Sequence, residues 1–65
     1  MDFQQKAKIR IERWLEHSHH HIEEYEAFAR ELEREGKKEA ADRIRDMIRL
    51  TGEADHKLKE ALELI

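Results

Sequence analysis

Sixty-five residues make one small domain, 1–65, and the absence of cysteine excludes disulfides, thiolate metal sites and thiol catalysis. Asp, Glu, Lys and Arg make up 45% of the chain, Pro is absent and Gly occurs twice, a composition of long helices. The net charge of −3, with both signs interleaved, provides no basic stripe for nucleic acid; no apolar run could span a membrane or form a signal-peptide core, so a cytoplasmic protein is expected.

The first helical pattern is predicted over 3–35, with Asp2 as its N-cap and Gly36 ending it in the left-handed conformation. Ala7, Ile11, Trp14, Ser18, His21, Tyr25, Phe28 and Leu32 recur three and four residues apart, and Leu15, Ile22 and Ala29 widen the stripe on one flank. Trp14, Tyr25 and Phe28 on this seam are read as core. The second pattern, 37–65, runs Ala41, Ile44, Ile48, Thr51, Asp55, Leu58, Leu62, Ile65, widened by Ala40, Met47, Ala54 and Ala61. Its heptad phase passes through Gly52 without a slip, which predicts one helix, bent at most. A mid-helix glycine costs about 1 kcal/mol relative to Ala, so Gly52 suggests a close approach there.

Folding the two patterns about Gly36 places Leu32 opposite Ala41, Phe28 opposite Ile44, Tyr25 opposite Ile48 and Trp14 opposite Leu58. The same register sets His21 against Thr51 and Ser18 against Asp55, two polar layers between apolar ones. The predicted fold is therefore all-α, an antiparallel two-helix hairpin. Its apolar stripes are broader than one partner helix covers, so the hairpin is expected to form a homodimer, a four-helix bundle, or a higher oligomer built from that unit, with a larger protein partner as a further option.

The stretch Glu16–Glu24 holds four of the five histidines. His17 and His21, one turn apart, share a helix face with Glu24, and two imidazoles with a carboxylate suit Zn²⁺, Ni²⁺, Co²⁺ or Fe²⁺. Asp55, across the hairpin, is the candidate fourth ligand, with His56 ranked behind it as a residue off the seam that could contribute across a dimer. His19 and His20 read as surface residues paired with neighbouring glutamates. The expected function is binding of a divalent transition metal for handling, sensing or structure, and not turnover. Two other readings compete. In one, the polar layers only fix the register of an interaction or oligomerisation module. In the other, Glu53-Ala54-Asp55-His56 supplies the Glu-x-x-His of a di-iron carboxylate protein. Ser18, His21 and Asp55 have the residue types of a hydrolytic triad, but mid-helix backbone N–H groups are already bonded and offer no oxyanion donors.

The run Trp14-Leu15-Glu16-His17-Ser18-His19-His20-His21 resembles a group of small archaeal and bacterial helical-hairpin proteins carrying W-[IL]-E-H-x-x-x-H. That resemblance implies the hairpin fold, and matches His17 and His21 to the two histidines of the motif.

Overall fold

The computed structural model describes residues 2–65. Two helices, α1 (Phe3–Arg34) and α2 (Lys38–Glu63), pack against each other, and no strand occurs among the described residues. Asp2 starts α1 with a reciprocal capping box: its carboxylate accepts from the Gln5 N–H at 2.8 Å, and the Gln5 side chain accepts from the Asp2 N–H at 3.4 Å. At the other end the Lys37 N–H donates to the Leu32 carbonyl at 2.8 Å and the Gly36 N–H to that of Glu33 at 3.0 Å. This is the Schellman pattern, and it requires the left-handed φ of 78° found at Gly36. The chain is thereby turned back within three residues. Gln4 Nε2, donating to the Ile65 carbonyl at 2.7 Å, ties the open end.

The hairpin measures 51 × 17 × 10 Å over its Cα atoms, long and only one helix layer thick. Such a layer encloses almost nothing: only Ile11, Ala29 and Ala41 are buried. Two of these are alanines near the turn, where small side chains let the helix backbones approach. Half-buried residues mark the rest of the contact and its border: Ala7, Leu15, Ser18, Ile22, Tyr25 and Leu32 on α1, Ile44, Met47, Ile48, Thr51, Asp55, Leu58, Ala61 and Leu62 on α2, and Ile65 just beyond it.

The α2 side follows the expected seam, but α1 is rotated from it. Leu15, Ile22 and Ala29, expected at the flank, face α2, whereas Trp14, His21 and Phe28 are exposed. The physical reason is that the α1 stripe is wider than one contact, and the hairpin uses its Leu15 edge. Trp14 and Phe28 are therefore not core residues of the hairpin. α2 also continues through Gly52, where an added Cβ would meet nothing within 4 Å, so no close approach explains that glycine.

Helical phase divides the hairpin into two faces. On one lie Trp14, His21 and Phe28 of α1 with Met47, Ala54 and Ala61 of α2. On the other Arg45 forms a paired contact with Glu33, Nη1 to Oε1 at 3.0 Å and Nη2 to Oε2 at 3.3 Å, beside Glu26 and Arg30. The Arg45 hydrogen bond and charge hold the Glu33 carboxyl below its ordinary value.

The two glycines are expected to respond oppositely to alanine. Gly36→Ala forces a left-handed alanine and should lower stability by about 1–2 kcal/mol. Gly52→Ala, at an open helical position, should raise it by about 1 kcal/mol; chemical denaturation reads both. The Glu33–Arg45 pair contributes only while the carboxylate is ionised. Its contribution is present above the ordinary Glu range and is lost as pH falls through the lowered value. In Arg45→Met, the Glu33 titration followed by carboxyl NMR should move up, and the acid limb of the stability curve should flatten.

Candidate functional site

The one hydrogen bond between side chains of α1 and α2 at mid-hairpin is Ser18 Oγ donating to Asp55 Oδ2, at 2.6 Å. Both residues are half-buried, and the sequence register set them opposite each other. A carboxylate placed between two helices needs such a donor, because an unpaired charge there loses solvation without recompense. The bond also locks the register, since a slip of one turn would separate the partners.

The other expected layer does not form. Thr51 is half-buried, but His21 lies outside the helix contact, with its ring stacked on Tyr25 at 6.0 Å between centroids and 16° between planes. Rotation of α1 toward Leu15 and Ile22 carries His21 out. His17 is exposed one turn away, along a shallow open groove of about 500 Å³ lined by Lys6, Ile9, Arg10, Arg13 and Trp14. Neither imidazole is in a hydrogen bond or ion pair with the described residues. His19 pairs with Glu23 at 3.1 Å on the surface, as the spacing predicts.

Of the candidate ligands, the structure places His17, His21 and Glu24 on the outer side of α1, exposed. Asp55 points between the helices to Ser18. His56 is exposed, and helical phase puts it toward the Arg45 face, away from His17 and His21. Glu53 is likewise exposed, engaged by Arg49 at 3.2 Å. Among the described residues no group of three or more His, Cys, Asp or Glu is arranged to hold a metal ion. One chain thus offers an imidazole pair and, separately, a satisfied carboxylate. The same residues show what the sequence reading missed: Trp14 and Phe28 line an exposed apolar face, and the signal for it was the breadth of the α1 stripe.

Ser18→Ala should cost about 2 kcal/mol, because it leaves the Asp55 carboxylate half-buried without its donor. Adding Asp55→Leu should recover most of that loss, since the charge goes with its partner. Urea unfolding of the two variants measures both; a double variant less stable than the single one would show that the bond is not the main role of Asp55.

No helix among the described residues is long and apolar enough to cross a membrane. No curated protein and no solved structure matches the chain. Residues 7–65, nearly the whole hairpin including the Ser18–Asp55 layer, match the profile of a domain of unknown function. The chain belongs to that family, DUF8180.

Proposed function

We propose that this protein is a self-associating helical module, in which two hairpins pack apolar face to apolar face as a four-helix bundle. The observation that carries this reading is the exposure of Trp14 and Phe28, about half of each, on the face that also holds Met47, Ala54 and Ala61. Surface area supports it. The hairpin exposes 5401 Å², whereas a compact monomer of this mass exposes about 4,400 Å². The excess, about 1,000 Å², compares with the roughly 800 Å² that each partner buries in a stable protein interface. The α1 seam Ala7, Trp14, His21, Phe28 then becomes the centre of a bundle core, between the contact inside the hairpin and the contact between hairpins.

The role in divalent-metal binding expected from the sequence falls to this assembly, because a single chain supplies only the His17–His21 pair. A non-catalytic module fits better than a di-iron enzyme, since Glu53 and His56 project away from the apolar face.

Sedimentation equilibrium is expected to give a dimer at micromolar concentration, with a melting temperature that rises with protein concentration. Trp14→Glu should weaken association by about 30-fold or more, as for a buried aromatic anchor; circular dichroism at high concentration checks that helix is retained. A wild-type chain that stays monomeric at high concentration, and unfolds cooperatively at a concentration-independent temperature, would sink the proposal.

A further inference from the structure

Two arrangements bring the apolar faces of two hairpins together with two-fold symmetry. With the axis parallel to the helices, each α1 lies over α2 of the second copy, level for level. That sets Lys57 of one copy beside Arg13 of the other, a like-charge contact that offsets the pairing of Arg43 with Glu31 toward the turn. With the axis perpendicular to the helices, α1 lies antiparallel on α1, and α2 on α2. Helical phase and length then place Lys6 opposite Glu31 and Arg13 opposite Glu24 along the α1 border, each pair occurring twice. Along the apolar face, small residues meet large ones: Ala7 opposite Phe28, and Met47 opposite Ala61, with Ala54 meeting its own copy. The α1 pairs and the α2 pairs put the axis at one and the same level, that of the Ser18–Asp55 hydrogen bond. The charge pairs on α1 and the size pairs on α2 are separate features of the sequence, and they agree.

At that level His17 of each copy faces His21 of the other. We infer that the four imidazoles form a site for a divalent transition metal on the two-fold axis of the dimer, an inference that rests on the bundle proposed above. Each chain brings two ligands one helical turn apart, which is half of a tetrahedral set, and the second copy completes it. Both rings are free for the purpose, and the stacking of His21 on Tyr25 limits how its ring turns. Asp55, at the same level in each hairpin, supplies negative charge near the cation while remaining bonded to Ser18. Imidazole ligands in tetrahedral geometry suit Zn²⁺ or Co²⁺.

Titration of the full chain with Co²⁺ alone tests this. The visible absorption of tetrahedral cobalt should saturate at one metal per two chains, and Zn²⁺ should bleach it. His17→Ala and His21→Ala should each weaken binding by more than about 100-fold, because a ligand is lost outright where outer-shell partners alone are worth about 10- to 100-fold. His19→Ala and His20→Ala should leave it unchanged. Ala54→Cys should oxidise readily to a covalent dimer. A dimer that takes up no cobalt, that binds one per chain, or that loses binding equally in the His19 and His20 variants overturns the site and leaves the bundle standing. A dimer of Ala54→Cys that resists oxidation overturns the perpendicular axis. A chain that is monomeric with and without metal overturns both the site and the bundle.

Discussion

A layer one helix thick cannot surround any of its own side chains, and most features of this hairpin follow from that geometry. Residues between α1 and α2 are shielded on two sides and open on the other two. Only side chains as small as Ala29 and Ala41, or as favourably placed as Ile11, are buried. Larger apolar residues are left half-wet wherever they sit. Interhelical stability then depends on close backbone approach near the turn, a broad but shallow apolar contact, and specific polar ties such as Ser18–Asp55 and Glu33–Arg45. The local ion pairs along α2, Lys38–Asp42 and Arg49–Glu53 among them, are exposed and contribute about a few tenths of a kcal/mol each at most.

The same geometry separates two kinds of polar residue that look alike in the sequence. Ser18 and Asp55 face inward and satisfy each other, so their role is register. His17 and His21 face outward from the same turns of α1, beside an uncovered tryptophan, and neither is hydrogen-bonded to the described residues, though His21 stacks on Tyr25. In the proposed bundle these two imidazoles, unused inside the hairpin, would lie between hairpins. A self-associating hairpin with ligands at its symmetry axis can couple two equilibria, because whatever binds at the axis also holds the two chains together.

Much of the fold could be read before any coordinates. Asp2, Gly36 and two heptad phases located both helices to within two residues at each end, and matching the phases across the turn placed Ser18 against Asp55. The rotation of α1 could not be read in the same way. Its stripe spans Trp14 and Leu15, Ile22 and His21, Phe28 and Ala29. Periodicity locates the centre of such a stripe but not which edge serves the contact within the chain. The centre falls on Trp14, His21 and Phe28, whereas the hairpin takes the Leu15–Ile22–Ala29 edge, which leaves the other edge for the second contact that the proposed bundle would make. The His21–Thr51 layer expected from the register does not form for that reason. Gly52 departs from expectation for another: in sequence, a glycine with open space around it looks the same as one that admits a close approach, and only its neighbours tell the two apart.

The position of the two buried alanines bears on how the chain reaches this state. Ala29 and Ala41 sit next to the Schellman turn, where contacts join residues close in sequence, whereas the Gln4–Ile65 tie spans 61 residues. Loop-closure entropy favours the short-range contacts first. Folding is therefore expected to zip from the closed end toward the open one, and amide protons should show the reverse order of exchange, with those near the termini opening first. The Ser18–Asp55 layer lies midway along that path. A chain in the wrong register would meet that level with an unpaired carboxylate before the second half had formed, so on this order of folding the layer would reject a misalignment while correction is still cheap.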